Sequence, residues 1–282
     1  METRPFGPTG VHVPLIGQGT WQLRDPRRAM EALRAGIAEG MTHLDTAELY
    51  KGSEEVIREA VRGVPRERLF VVSKVLPRNA SYAGTLRACD ASLQRLGMDH
   101  LDAYLLHWWT GDHPIEDTMR AMAELADRGK TRSVGVSNFS PAECDAAQRA
   151  LGAKHRLACN QVQYHLEDRS IEADLVAFAE RTGMALVAYS PFGGPRGGFP
   201  RPGSAGHRAL EEVGRKHART PRQVALRFLT RHPSVFAIPK AEQPAHAREN
   251  AGGQGWQLDE ADVAALDAAF PGPRPSRTLD AW

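Results

Sequence analysis

The sequence is poor in cysteine and has no long apolar run. Its 282 residues include three cysteines, Cys89, Cys144 and Cys159, and none of them has CxxC spacing. Such a set does not build a disulfide framework, so we expect small core residues in a reducing compartment. No apolar run is long enough to span a membrane, and residues 1–7 lack the apolar stretch of a secretion signal. These absences predict a cytoplasmic protein without a membrane partner.

The sequence also lacks an excess of either charge. Lys and Arg number 36 and Asp and Glu number 34, which gives a formal net charge of +2. This balance gives no sign of a nucleic-acid partner, so we expect a small-molecule substrate instead. The length and the 41% hydrophobic content fit one large α/β domain. We expect residues 1–282 to form a single domain, as a monomer or a weak homodimer.

Short apolar runs alternate with amphipathic segments along the whole chain. A turn signal at residues 7–10 predicts a hairpin first. The pattern then predicts strands at 15–19, 43–45, 69–74, 101–107, 133–137, 158–162, 185–189 and 235–238. It predicts helices at 26–39, 85–96, 115–128, 141–150, 171–181, 209–217, 221–231, 244–250 and 259–268. It also predicts a helix that follows residue 53, with Ser53 as its N-cap.

About eight strand–helix units in strict alternation are typical of a closed barrel. We therefore predict an α/β (β/α)8 TIM barrel with an N-terminal β-hairpin and an extra C-terminal helix. A doubly wound open sheet also alternates, but it usually has a Gly-rich phosphate loop after its first strand. Here Gly17 and Gly19 are not followed by the third glycine of that loop. The stretch 192–206, rich in Gly and Pro, is predicted to be a substrate or cofactor loop rather than a linker.

Polar side chains stand where nearly every predicted strand ends. In a barrel these ends meet at one mouth, and function gathers there. Each residue alone has a structural interpretation, such as a helix cap at Asp45 or a packed histidine at His107. Together they predict a site. They are Asp45, Lys74, His107, Ser137, Asn138, Asn160, Gln161, Tyr189, Ser190 and Lys240.

Tyr50, five residues after Asp45, adds an acid to this set. A free tyrosine has a pKa near ~10, and a neighbouring ammonium lowers it. We expect Lys74 to supply that ammonium, Asp45 to hold Lys74, and His107 to contact the same substrate oxygen. These groups suit protonation of a carbonyl as hydride reaches its carbon. A metal-dependent hydrolase is the alternative, but Lys74 would place a cation among its ligands, so we predict no metal.

The motifs of the chain resemble those of the aldo-keto reductases, in order and at the strand ends. The resemblance rests on Gly19–Trp21, residues 43–50 (HLDTAELY), residues 72–74 (VSK), 106–108 (LHW), 135–139 (GVSNF), 160–165 (NQVQYH), 188–191 (AYSP) and 238–240 (IPK). It implies NAD(P)H-dependent reduction of aldehydes or ketones to alcohols. Asp45, Tyr50, Lys74 and His107 would be the catalytic residues, with Tyr50 the proton donor.

The same resemblance implies where a cofactor would bind. Tyr189 would stack on the nicotinamide, and Lys240 would meet the phosphate of the adenosine ribose. Two departures from the family, Ala241 and His246, keep NADH possible beside NADPH. The implied cofactor contacts are Ser137, Asn138, Gln161, Tyr189, Ser190, Pro191, Lys240, Glu249 and Asn250.

Three aromatic residues, Trp21, Trp108 and Phe139, are expected to line the substrate mouth, although Phe139 could instead pack against helices. Short segments after His107 and Phe270 favour small aldehydes or 2-oxoaldehydes over steroids. Two alternatives stay open on the same fold. They are a nicotinamide-binding regulatory subunit and alcohol oxidation as the direction in the cell.

Overall fold

Parallel strands that follow one another in chain order form the centre of the protein. The computed structural model describes residues 1–194 and 198–273. An eight-stranded sheet runs through it, and its strands are hydrogen-bonded to one another in chain order. Its strands are β3 (Gln18–Gly19), β4 (His43–Asp45), β5 (Phe70–Val75), β6 (Leu101–Leu106), β7 (Thr131–Ser137), β8 (Leu157–Gln163), β9 (Ala185–Tyr189) and β10 (Val235–Ala237).

The first and last strands of this sheet meet and close it. The Gly17 amide donates to the Ala237 carbonyl at 2.8 Å. Parallel bridges join Ile16 to Ala237 and Gly19 to Lys240. Because closure leaves neither edge unpaired, the sheet is a barrel, and the predicted (β/α)8 fold is confirmed.

A hairpin closes the N-terminal end of the barrel, as predicted. Strands β1 (Thr3–Pro5) and β2 (His12–Pro14) pair antiparallel. Phe6, between them, is fully buried. Its ring centroid lies 4.7 Å from that of Phe70 and 5.2 Å from that of Phe236, both near strand starts. The Phe6 ring therefore fills the end of the barrel opposite the polar strand ends.

Helices cover the outside of the barrel. In the described residues they are α1 (Pro26–Ala38), α2 (Ser53–Ala60), α3 (Tyr82–Leu96), α4 (Ile115–Asp127), α5 (Pro141–Leu151), α6 (Leu175–Thr182), α7 (Ala205–His217), α8 (Pro221–Leu229), α9 (Pro244–Ala251) and α10 (Glu260–Ala269). The extra C-terminal helix is α10. None of these helices combines the length and the hydropathy that crossing a bilayer requires.

Two local predictions about helices were wrong. Ser53 does not cap α2; it is the first residue of the helix, and its hydroxyl donates to the Thr20 carbonyl at 3.0 Å. The helix predicted at 171–181 is divided into a 3-10 turn and α6, because Asp174 leaves the helical region at φ −149°. In contrast, α1 begins at the predicted position, where Asp25 caps it and accepts from the amides of Arg27 and Arg28.

The alternation of strand side chains decides which residues reach the mouth of the barrel. Val72 and Cys159 belong to the cluster that fills the barrel interior. Lys74 and Gln161 follow them by two residues on the same strands and so share their inward face. Asp45 is likewise the last residue of β4. The strands thus place the side chains of Asp45, Lys74 and Gln161 together at their C-terminal ends, above the apolar interior of the barrel.

Candidate active site

A cavity of ≈ 690 Å³ opens at the C-terminal ends of the strands. Its wall includes the ends of β3, β4 and β7 to β9 and the residues that follow β6, β9 and β10. Most of the residues predicted from the sequence line it. They are Trp21, Asp45, Tyr50, His107, Trp108, Ser137, Asn138, Gln161, Tyr189, Ser190, Pro191 and Lys240.

A buried ion pair lies at the floor of the cavity. Lys74 Nζ donates to Asp45 Oδ1 at 2.7 Å and to the Thr46 carbonyl at 2.8 Å. The other carboxylate oxygen, Asp45 Oδ2, accepts from Gln161 Nε2 at 2.7 Å. Burial raises the pKa of Asp45 and lowers the pKa of Lys74, and the ion pair opposes both shifts. Each buried charge has lost its hydration, and the opposite charge and these hydrogen bonds compensate for that loss.

Tyr50 and His107 lie directly above this pair. Tyr50 Oη is 3.5 Å from His107 Nε2, and Lys74 Nζ is 5.1 Å from the centroid of the Tyr50 ring. The two rings meet edge to face, with centroids 5.6 Å apart. Their polar atoms therefore face the same small volume of the cavity, where one oxygen of a ligand can reach both.

The pKa of Tyr50 differs from the expectation. Burial, followed by the nearby Asp45 carboxylate, raises it well above its ordinary value of 10.0 rather than lowering it. The Lys74 ammonium, which is paired with Asp45 at hydrogen-bond distance, does not outweigh these two effects. Burial and the Lys74 charge also hold the pKa of His107 well below 6.5. At neutral pH the site therefore has an uncharged phenol beside an uncharged imidazole.

Glu48 fastens the loop that carries Tyr50. Its Oε1 accepts from the Leu76 amide at 2.5 Å, and its Oε2 accepts from Asn79 Nδ2 at 3.0 Å. These bonds tie the loop after β4 to the turn after β5. Since Asp45 and Tyr50 flank this loop and Lys74 precedes the turn, the attachment fixes the three groups relative to one another.

One wall of the cavity is a network of hydroxyl and amide groups. Ser137 Oγ donates to the Gln161 carbonyl at 2.8 Å, and Asn138 Nδ2 donates to the His107 carbonyl at 3.2 Å. Tyr189 Oη donates to Asn138 Oδ1 at 2.9 Å. The network holds an amide and an aromatic ring in fixed positions beside Tyr50 and His107. Such groups suit a flat ligand that carries a carboxamide.

Strained backbone also gathers at this cavity. Within residues 1–194 and 198–273, the non-glycine residues with positive φ are Gln22, Asn138, Ser190 and Ala218. The first three line the cavity, and the fourth ends α7. Strain of this kind persists where the surrounding structure enforces it, and it is common at ligand sites.

Some residues predicted to lie in the site do not. The Phe139 side chain is buried in the core between the strands and the helices, so its prediction as a substrate contact was wrong. Asn160 holds it there, since Asn160 Nδ2 donates to the Phe139 carbonyl at 2.7 Å. Glu249 and Asn250 lie on α9, outside the lining of the cavity, and their place beside an adenine stays a prediction.

Several lining residues were not predicted. Gln163 lies two residues after Gln161, so strand alternation could have identified it. Phe192, Gly193 and Gly194 belong to the stretch predicted to be a ligand loop, of which residues 195–197 lie outside the described residues. Nothing in the sequence indicates that Leu49 lines the cavity, because an apolar residue beside Tyr50 is equally compatible with a place in the core.

The whole barrel has known relatives. The chain matches the model of the Aldo/keto reductase family over residues 15–270. It is 41% identical over 276 residues to "Methylglyoxal reductase YeaE" of Escherichia coli (strain K12), covering 96% of this chain and 95% of that protein. It is 33% identical over 277 residues to "Glyoxal reductase" of Bacillus subtilis (strain 168), covering 96% and 95%.

Solved structures agree with this likeness. An aldo/keto reductase from Klebsiella pneumoniae, in complex with NADP and acetate, superposes with a TM-score of 0.90 at 38% identity, covering 99% of this chain and 98% of that chain. Another from the same organism, in complex with NADPH, gives 0.90 at 39% identity, covering 100% and 99%.

The buried pair predicts a specific stability defect. Lys74→Met removes the ammonium and leaves the Asp45 carboxylate buried without its partner, which lowers the free energy of unfolding by about 3 to 5 kcal/mol. Adding Asp45→Asn removes the stranded charge and restores part of the loss. Urea unfolding at neutral pH measures both variants. A double variant no more stable than Lys74→Met would show that the stranded charge is not the cause.

Proposed function

Since the chain belongs to the aldo/keto reductase family, we propose that it reduces a small aldehyde or ketone to the alcohol with NADPH. The observation that carries the proposal is the position of Tyr50 and His107 above the Asp45–Lys74 pair, at the floor of the cavity. NADPH supplies hydride to the carbonyl carbon when bound. The chain supplies the proton and the geometry.

The wall of the cavity fits a nicotinamide cofactor. Asn138 and Gln161 are amides that can pair with a carboxamide, and the ring of Tyr189 can stack on a flat heterocycle. Ser137 orders this wall by donating to Gln161. Lys240, which follows β10 and lines the cavity, offers a cation to a phosphate. Ser190 and Pro191 follow Tyr189 and extend its side of the cavity.

Tyr50 is the proposed proton donor. Its raised pKa keeps the phenol protonated at neutral pH, which an acid for reduction requires. His107, held neutral by burial, donates a hydrogen bond that orients the carbonyl oxygen toward Tyr50. The proton moves from Tyr50 Oη to that oxygen as negative charge develops on it. Lys74 then lies close enough to stabilise the phenolate that remains.

The mouth favours small, uncharged carbonyl compounds, and 2-oxoaldehydes above others. Trp21 and Leu49, 38% and 40% exposed, stand at the cavity rim, and Trp108 lies beside His107. These side chains offer apolar contact to a short chain. Two relatives that cover nearly the whole chain bear the names methylglyoxal reductase and glyoxal reductase.

The substrate class is tested by comparing kcat/KM for two carbonyl compounds of different size. We expect kcat/KM with NADPH to be at least about tenfold higher for methylglyoxal than for a steroid ketone, in line with the names of the two reductases to which the chain is similar. Initial rates of NADPH consumption measure both. A clear preference for the steroid would contradict the proposed substrate class.

Tyr50→Phe tests the proton donor. The variant keeps the ring but loses the hydroxyl, so we expect turnover to fall at least about a hundredfold. The dissociation constant of NADPH, measured by titration, should change little, because the cofactor wall is intact. Tyr104→Phe is the matched control, since its buried hydroxyl lies outside the cavity. Turnover near wild type in Tyr50→Phe would refute the mechanism.

A further inference from the structure

One fixed positive charge lines the cavity within the described residues, and it belongs to Lys240. The other cation of the region, Lys74, is buried beneath the floor and neutralised by Asp45. An anionic group of a ligand that enters the described cavity therefore has Lys240 as its ammonium partner.

Lys240 already has partners. Its Nζ donates to the Gln22 carbonyl at 3.1 Å and to Glu242 Oε1 at 3.1 Å. The same carboxylate oxygen accepts from the Arg24 amide at 3.0 Å. We call these four groups, the Gln22 carbonyl, the Arg24 amide, the Lys240 ammonium and the Glu242 carboxylate, the Glu242 clamp. It joins the loop after β3 to the loop after β10.

Two features keep the Glu242 clamp in place. Gln22 holds a positive φ of 54°, an unusual conformation for a side-chain-bearing residue. Burial alone would raise the pKa of Glu242, but hydrogen bonds from Arg24 and Lys240 outweigh it and lower that pKa. Glu242 is therefore a carboxylate at neutral pH, fixed by the backbone of one loop against the cation of the other.

We propose that Glu242 is a specificity-determining residue that weakens the preference for NADPH over NADH. The inference rests on the proposed function. NADPH has a ribose phosphate that NADH lacks, and that phosphate must compete with Glu242 for Lys240 and bear the repulsion of the carboxylate. A ribose with free hydroxyls instead offers donors to the same carboxylate.

Neighbouring cations do not remove this competition in the structure. Arg248, on α9, directs its Nε toward Glu39 Oε1 at 3.9 Å and does not line the cavity. His246 is exposed on the same helix and also lies outside the lining. Arg24 is exposed and does not line the cavity, although its charge also acts on Glu242. The charges at this end of the described cavity are thus those of Lys240 and Glu242, with Arg24 behind them.

Glu242→Gln tests the inference by binding rather than by activity. Glutamine keeps the size of the side chain and an oxygen that accepts from Arg24 and Lys240, but it removes the charge. We expect the dissociation constant of NADPH to fall about tenfold, as expected for one lost repulsion near a dianion. That of NADH should stay within about twofold. Isothermal titration calorimetry with each cofactor measures both, with Glu116→Gln, which removes an exposed carboxylate from α4, as the control.

Four results would overturn the inference. An equal fall in the dissociation constants of NADPH and NADH would mean that Lys240 binds a phosphate that both cofactors carry. Weaker NADPH binding would mean that Glu242 prepares Lys240 for the phosphate, and unchanged affinities would mean that the charge of Glu242 has no effect. A wild-type protein that binds neither cofactor would refute the proposed function itself, and the inference with it.

Discussion

The ion pair between Asp45 and Lys74 is the constraint on which the site depends. Neither charge is accessible to solvent to any useful extent, so each needs the other. Their bond joins β4 to β5, and Gln161 joins the same carboxylate to β8 across the barrel. The mouth of the barrel is therefore tied together by polar contacts, whereas its opposite end is filled by the apolar ring of Phe6.

The pair also decides the charge state of what lies above it. An isolated ammonium would favour the phenolate of Tyr50, and an isolated carboxylate would favour a charged imidazole at His107. Because the two charges are paired, burial dominates; Asp45 adds to the rise in the pKa of Tyr50 and Lys74 adds to the fall in the pKa of His107, so both groups remain uncharged. A phenol that keeps its proton, next to a neutral imidazole, suits the delivery of a proton to an oxygen that becomes negative only during the reaction.

The sequence allowed much of this arrangement to be predicted. Alternating strands and helices led to the barrel, and polar residues at strand ends led to Asp45, Lys74, His107 and Gln161, since these positions obey the strand period. The Phe139 side chain was wrongly predicted to line the cavity, because its orientation depends on a tertiary contact, the hydrogen bond from Asn160 to the Phe139 carbonyl. The division of the helix at 171–181 depends on the conformation of Asp174, which pattern alone does not fix. The prediction for the pKa of Tyr50 was wrong because it considered the charge of Lys74 without burial and without the Asp45 carboxylate.

The pH dependence of the two reaction directions tests the central claim most directly. If Tyr50, with its raised pKa, is the donor, carbonyl reduction should be nearly constant between about pH 6 and pH 9, because the phenol stays protonated. Alcohol oxidation needs the phenolate, so its rate should rise about tenfold per pH unit over that range. A reduction rate that instead falls about tenfold per pH unit would identify a donor with a pKa near or below neutrality, such as His107, and would contradict the account.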